Sequence, residues 1–242
     1  MHRPIKEPLV SVVTPVYNRP MGIIECSQSL LAQTYQNWEH IVVDDCSTDE
    51  TPKIISSATD FRIKPIFQET NQGPQFAYKR GFNEARGKYV FLNDSDDLSL
   101  PDRLQKCVAY LESHPQIDVL YHGLYRLTDH QSLPIKVWIY SPAPKWEQKR
   151  LEKEQYIPGA ACVLRRELLK KYQPDNLAQG SWDWYFLLQL YFAGAKFAPL
   201  DEGLYIYTRS EDGLAQAHEK SGGREKSFDN IRRYIRKAKR LG

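Results

Sequence analysis

The segment Asp94-Ser95-Asp96-Asp97 places three carboxylates within four residues, directly after the apolar run Tyr89-Val90-Phe91-Leu92. Like charges gathered at a strand end repel one another, so the cluster reads either as a solvated turn or as a seat for a cation. Hard oxygen ligands of this type suit Mg²⁺ or Mn²⁺, which points to diphosphate chemistry. A second acidic cluster, Asp44-Asp45-Cys46-Ser47-Thr48-Asp49, follows the apolar run Ile41-Val42-Val43. A third apolar run, Val10 to Val16, ends in Tyr17-Asn18-Arg19-Pro20. Three strands therefore deliver polar side chains at their carboxyl ends, the edge where an open parallel sheet binds its ligands.

The elements that must hold these residues alternate along the first half of the chain, as in right-handed βαβ units around a mostly parallel sheet. The patterning predicts strands near 9–16, 38–44, 62–67 and 88–92, and helices near 20–33, 51–58, 75–86 and 101–113. Ser47 and Glu50 have the spacing of a capping box at the start of the second helix. Asn71-Gln72-Gly73-Pro74 is a turn before the third. The second half is less regular. A strand is expected over Val119 to Leu127, then a stretch from Thr128 to Tyr156 that is either a hairpin or a mobile loop. Order resumes at Ile157 to Leu164, followed by a short helix from Arg166, an aromatic helix from Trp182 and a last strand from Leu204 to Thr208.

A chain of 242 residues with 41% hydrophobic and 26% charged residues is long enough to bury a sizeable core as one globular domain. Cys26, Cys46, Cys107 and Cys162 are scattered without a Cys-x-x-Cys pair, so reduced thiols are expected and not a disulfide frame or a zinc site. Neither a signal-peptide core nor a membrane-length apolar stretch is present in the sequence, and a cytoplasmic location is expected.

The ordered set of motifs resembles glycosyltransferase family 2. It runs through Val-Ser-Val-Val-Thr-Pro-Val-Tyr-Asn-Arg, Val-Val-Asp-Asp-Cys-Ser-Thr-Asp and Phe-Leu-Asn-Asp-Ser-Asp-Asp-Leu-Ser-Leu-Pro-Asp-Arg-Leu to a later acidic site. The resemblance is strong over residues 8–113 and weaker over 157–210. It implies a single-domain α/β GT-A fold (residues 1–223), with residues 8–113 as the nucleotide-sugar half and 114–223 as the acceptor half. It further implies an inverting mechanism, a nucleotide-sugar donor, a divalent cation and an acceptor that is a glycan or lipid-linked. On this resemblance, Pro15, Tyr17, Asn18, Asp45, Asp94, Ser95 and Asp96 line the donor. Asp96 is the better metal ligand, and Asp94 meets ribose or metal-bound water.

A carboxylate at Asp45 accepts well from the N3–H of uracil or thymine, which favours a UDP-sugar and then a dTDP-sugar. Its alternative duty is to cap the next helix in competition with Asp44 and Asp49. Asp183, in Gly180-Ser181-Trp182-Asp183-Trp184, matches the family's late acidic motif and is the only carboxylate between Asp175 and Asp201. Its readings are general base for the acceptor hydroxyl or an acid favoured by a helix N-terminus. Trp182 and Trp184 suit a sugar platform or a packed core.

Two positions depart from the family pattern. Trp182 stands where Glu is general, and Tyr78 stands in Ala77-Tyr78-Lys79-Arg80-Gly81 where a donor-contacting Arg is usual, leaving Lys79 or Arg80 to serve instead. Arg209 and His218 follow the last strand, where relatives place diphosphate- and metal-contacting groups. Two other readings remain: a sugar nucleotidyltransferase, which would normally carry a Gly-rich phosphate loop in place of Tyr17-Asn18-Arg19-Pro20, and a nucleotide-binding relative without turnover.

From Arg224 onward, eight basic and two acidic residues give +6, against +3 for the whole chain. Phe228, Ile231, Tyr234, Ile235, Ala238 and Leu241 make one apolar stripe of a helix over residues 224–242, opposite a basic face. Such a helix either lies peripherally on an anionic membrane or clamps back on its own domain, with the membrane slightly favoured. Nucleic acid is not expected as a partner, since no other part of the chain forms a basic aromatic surface.

Overall fold

The computed structural model describes residues 8–129, 136–175, 177, 181–208 and 223–241. Arg209 and His218 lie outside the described residues. Strands β1 (Val10–Val16), β2 (Trp38–Asp44), β3 (Ile63–Phe67) and β4 (Tyr89–Leu92) alternate with helices α1 (Pro20–Leu31), α2 (Thr51–Ser56) and α3 (Pro74–Glu84). β1 pairs in parallel with β2 and β4, and β2 with β3. Their carboxyl ends therefore share one edge, as the alternation in the sequence predicts.

The chain continues through β5 (Leu98–Ser99), α4 (Arg103–Ser113), β6 (Val119–Asp129), β7 (Lys136–Ser141) and α5 (Gln148–Leu151). A 3₁₀ turn (Gly159–Ala161), β8 (Cys162–Arg165), α6 (Arg166–Leu169), α7 (Trp182–Phe192), β9 (Phe197–Tyr207) and α8 (Gly223–Leu241) complete it. All nine strands join one sheet in the order β3-β2-β1-β4-β8-β6-β9-β5, with β7 pairing β6 beside that path. The part of the sheet built from β1 to β4 is parallel. Beyond β4 the sheet is mixed, because β8 runs antiparallel to both β4 and β6 whereas β9 runs parallel to β6.

Alternation along β1 sends Val13 to one face and Val10 and Val12 to the other, so the sheet is buried on both sides. On the first face lie Ala77, Tyr78 and Phe82 of α3 and most of α7, while Leu104, Cys107, Val108 and Leu111 of α4 cover the second. Gly81 of α3 rides directly on β1, since a Cβ there would stand 2.3 Å from Val13 Cγ1.

Several expectations need correction. Ser47 and Glu50 do not form a capping box: Ser47 Oγ accepts the Asn18 N–H at 2.9 Å, and Asp49 Oδ1 accepts the Thr51 N–H at 2.9 Å. The competing partner is the β1–α1 loop, which takes Ser47 for itself. β9 begins seven residues before the expected Leu204, and β5 has no strand-like run in the sequence at all. Of the stretch from Thr128 to Tyr156, the hairpin reading holds up to Ser141, since β6 and β7 pair antiparallel from Leu124↔Ser141 to Asp129↔Lys136, and α5 lies in the remainder.

The expected membrane stripe on α8 is covered by the domain itself. Ile231 is fully buried and Ile235 nearly so, and Phe228 and Tyr234 meet Trp184 and Tyr185 of α7 edge-on at centroid distances of 5.3 and 4.9 Å. Lys239 pairs with Glu152. The physical reason is that α7 is apolar nearly all round, so its outer side needs a cover that an amphipathic helix provides. Among the described residues, no helix is long and apolar enough to cross a membrane. All four cysteines are free, as expected.

Candidate active site

The carboxyl edge of the parallel strands carries the site. Asp45 follows β2, and its N–H donates to the Val16 carbonyl at 2.8 Å, which locks it beside β1. Its carboxylate is buried and accepts from Gln68 Nε2 and Gln72 N–H on Oδ1 and from the Gly73 N–H at 2.7 Å on Oδ2. Three of about four acceptor positions are thus filled. Asp45 organises the loop from Gln68 to Gly73 and does not cap α2. Gly73 makes the turn with φ of 91°, a left-handed value that suits glycine.

Pro15 is buried in β1 and Tyr17 is 44% exposed at its end. Asn18, at φ 49°, accepts the Thr48 N–H at 2.8 Å and so ties the β1 loop to the β2 loop. Lys79 is half-buried, while Arg80 is exposed and pairs with Glu84 at 3.3 Å on its own helix. Among the described residues, no ion pair joins Arg80 to the acidic cluster.

That cluster is held from several directions. Asp94 Oδ1 accepts from the Tyr78 hydroxyl at 2.8 Å, and the Asp94 N–H donates to the Tyr205 hydroxyl at 3.0 Å. Ser95 is buried. Asp96, partly exposed, pairs with Arg19 at 3.2 Å. Asp97 is fully buried: Oδ1 accepts the Thr208 N–H at 2.7 Å, and Oδ2 has no hydrogen-bond partner among the described residues. Burial, then the neighbouring Asp96 charge, pushes the Asp94 carboxyl up to about 7. Burial followed by Asp94 and Asp96 holds Asp97 well above the usual carboxylate range.

Asp183 sits in the first turn of α7. Its Oδ2 accepts from Gln155 Nε2 at 2.6 Å and from the Gly159 N–H at 3.3 Å. Gly159 must lack a side chain, because a Cβ would come within 2.7 Å of Asp183 Cβ. Burial raises the Asp183 carboxyl, against hydrogen bonds that lower it. Asp183 also contributes to the raised Asp94, so acids from the two halves of the chain act on one another. Trp184, in contrast, is core: it is buried, and its Nε1 donates to the Leu151 carbonyl.

The sequence alone did not expose three supports. One is Arg103, fully buried, whose five N–H groups are all engaged. They reach the Leu92 carbonyl at 2.9 Å, the Ala160 carbonyl at 2.7 Å, Asn93 Oδ1, Ser99 Oγ and His122 Nε2. It clips the end of β4, which leads into Asp94, to the 3₁₀ turn that holds Asp183. The other two are the hydroxyls of Tyr78 and Tyr205. Arg103 lay in the Leu-Pro-Asp-Arg-Leu signature, but nothing in a single sequence says that such an arginine is buried. The departures Tyr78 and Trp182 touch each other, with ring centroids 4.7 Å apart.

A divalent cation is implied by the resemblance. The side chains present fit one: Asp94 and Asp96 offer hard oxygen donors, and the raised Asp94 and Asp97 register an excess of negative charge. Among the described residues, no group of three or more His, Cys, Asp or Glu side chains converges as a metal site. Two carboxylates with substrate oxygens are a sufficient set for Mg²⁺-type binding.

Parallel strands ending in acids at one edge, helices on both faces and a mixed second half that returns a further acid to that edge define the GT-A type of nucleotide-sugar transferase. The chain belongs to the glycosyl transferase family 2, whose sequence profile matches residues 11–173, and it is a glycosyltransferase. An uncharacterized glycosyltransferase of Haemophilus influenzae is 39% identical over 70% of this chain and 67% of its own length. The putative teichuronic acid biosynthesis glycosyltransferase TuaG of Bacillus subtilis is 36% identical over 71% of this chain and 68% of its own. The crystal structure of S. aureus TarS with UDP is similar at a TM-score of 0.68 and 27% identity, covering 83% of this chain and 60% of that one. A TarS structure with UDP-GlcNAc has a TM-score of 0.71 at 25% identity. The chain thus spans about two thirds of the length of these relatives.

Proposed function

We propose that this protein is a metal-dependent, inverting glycosyltransferase that moves a sugar from a UDP-sugar to a hydroxyl of a glycan or lipid-linked acceptor. The observation that carries the proposal is that Asp94 and the turn bearing Asp183, 89 positions apart in sequence, are joined through Tyr78, which bonds Asp94 and packs on Trp182. One acid belongs to the proposed donor half, residues 8–113, and the other to the proposed acceptor half, residues 114–223.

Asp45 receives the imide N–H of uracil on its carboxylate. Thymine presents the same group, so a dTDP-sugar is the second donor class. Pro15, Tyr17 and Asn18 line the nucleotide, and Asp94 and Asp96 hold Mn²⁺ or Mg²⁺, whose charge stabilises the departing diphosphate. Arg19, already beside Asp96, adds a fixed positive charge to the same region. The acceptor oxygen attacks the anomeric carbon from the face opposite the diphosphate. As the new carbon–oxygen bond forms, Asp183 takes the hydroxyl proton, and the bond from the anomeric carbon to the diphosphate oxygen breaks with both electrons leaving on the diphosphate. Burial of Asp183 makes it a better base than an exposed carboxylate.

Calorimetry of UDP with Mn²⁺ and with a chelator tests the proposal. Binding is expected with Mn²⁺ and to be much weaker in chelator, where the Asp94 and Asp96 charges oppose the phosphates, and Asp96→Ala is expected to remove most of the difference. Equal affinity in the two conditions would sink the metal assignment.

A further inference from the structure

Tyr78 is completely buried and yet carries a hydroxyl, which a protein interior tolerates only with a partner. The partner is Asp94 Oδ1 at 2.8 Å. The ring of the same residue lies against Trp182, with centroids 4.7 Å apart and planes tilted by 33°. Trp182 opens α7 and is joined through the backbone to Asp183. Phe82 of α3 and Phe186 of α7 extend the contact, with centroids 5.8 Å apart, while Phe186 lies 6.4 Å from Trp182. A single chain of side chains therefore runs from Asp94 through Tyr78 and Trp182 to the helical turn that carries Asp183.

We infer that Tyr78 and Trp182 are positioning residues that hold the donor-side acid Asp94 and the acceptor-side acid Asp183 at one fixed spacing. The inference rests on the glycosyl transfer proposed above and assigns each part of the pair its own task. The Tyr78 hydroxyl acts on Asp94: with Oδ1 bonded to Tyr78 and the main-chain N–H bonded to Tyr205, the carboxylate is oriented before any cation or diphosphate arrives. The Trp182 ring acts on α7: it seats the first turn against α3, so that Asp183 meets an acceptor oxygen at the distance proton transfer needs. The two departures from the family motif are then one exchange, in which an aromatic pair occupies the positions where Arg and Glu are usual. An aromatic pair of this kind also contributes beyond its burial, which resists separation of the two helices.

Two variants separate the tasks. Tyr78→Phe keeps the ring and deletes the hydroxyl, while Trp182→Leu keeps apolar bulk and deletes the ring. The probes are UDP with Mn²⁺ in calorimetry and release of UDP from UDP-GlcNAc as turnover, with thermal melting of each variant alongside. Tyr78→Phe is expected to weaken UDP binding about tenfold, as for loss of a hydrogen bond to a charged group, with kcat at saturating donor nearly unchanged. Trp182→Leu is expected to leave UDP affinity nearly unchanged and to lower kcat by about 10- to 100-fold, and Trp182→Phe to recover most of that loss. If each variant lowers affinity and kcat together, in step with a lowered melting temperature, the residues are merely structural and the inference is overturned. Parental values in both variants overturn it equally, while UDP binding by the parent leaves the proposed function standing. A parent chain that binds no UDP with Mn²⁺ takes down the function and this inference together.

Discussion

Asp94 pays a visible cost for its place. Its carboxyl is raised from 3.8 to about 7, so the folded chain holds a proton that the unfolded chain has lost. The stability linked to that proton is complete below about pH 4 and is lost as pH rises toward 7, because over that window the folded state binds more protons. Asp94→Asn keeps the acceptor for Tyr78 and removes the charge. In denaturant titrations without metal, its advantage over the parent is expected to grow from pH 4 to pH 7, reaching at most about 4 kcal/mol, and to stay flat above. An advantage independent of pH would refute the burial argument. The opposite acid gives a kinetic counterpart. Asp183→Asn is expected to lower transfer by about two to four orders of magnitude with donor affinity nearly intact. Because burial raises Asp183, the parental rate should climb with pH through an ionisation raised from that of an exposed aspartate, and that limb should vanish in the variant. At this scale the acids were legible, since charge density at a strand end needs no alignment to be noticed. Their supports were not. Tyr78 reads in sequence as a missing arginine, and Arg103 as one more surface cation.

Elements fared according to how local their causes are. β1, β2, β3 and β4 were bounded to within a residue or two, and for β1 and β4 the reason is that a buried parallel strand writes itself as a largely apolar run. β5 has two residues and exists only because β9 pairs with it, Leu98 against Ile206, so no local signal could reveal it. The capping box failed for a related reason: Ser47 is taken by Asn18, which is 29 positions away. The close approach of α3 to the sheet gives a direct test. Gly81→Ala places a methyl 2.3 Å from Val13 Cγ1, and the helix must shift. A loss of about 1–3 kcal/mol in denaturant titrations is expected, together with weaker UDP binding, since α3 begins at the Asp45 loop and carries Tyr78. Arg103→Met is expected to cost about 3 kcal/mol or more, since it removes the donors to the buried acceptors of Leu92, Ala160 and His122. Arg103→Lys should rescue little, because three donors on a point charge cannot replace a five-donor fork. A melting temperature for Arg103→Lys equal to the parent's would show that the fork is dispensable.

For the whole molecule, α8 decides how the second half is sealed. Its apolar stripe covers α7, which in turn carries Asp183, so removing residues 224–242 should lower the melting temperature by several degrees and expose apolar surface. Its basic face remains outward, with Arg233, Arg236 and Arg240 exposed and Arg232 paired with Asp229 of the same helix. Sedimentation with anionic vesicles at low and high salt tests whether that face still binds a membrane by charge alone. Binding that disappears in salt is expected for such a face, whereas binding that persists would require the stripe to leave α7.

The hydroxyl of Tyr205 reaches the Asp94 N–H, and the Thr208 N–H reaches Asp97, each across 111 positions of sequence. The acids are thus fastened by the last strand of the sheet. During synthesis the parallel half emerges first, with its carboxylates still apart from those partners, and contacts between residues so distant are slow to form. Recovery of Mn²⁺-dependent UDP binding should therefore lag behind the return of helical signal when the denatured chain is diluted into buffer. A nascent or broken chain would then be kept from capturing donor until β9 has joined the sheet, which makes substrate binding itself a proofreading mark of that step.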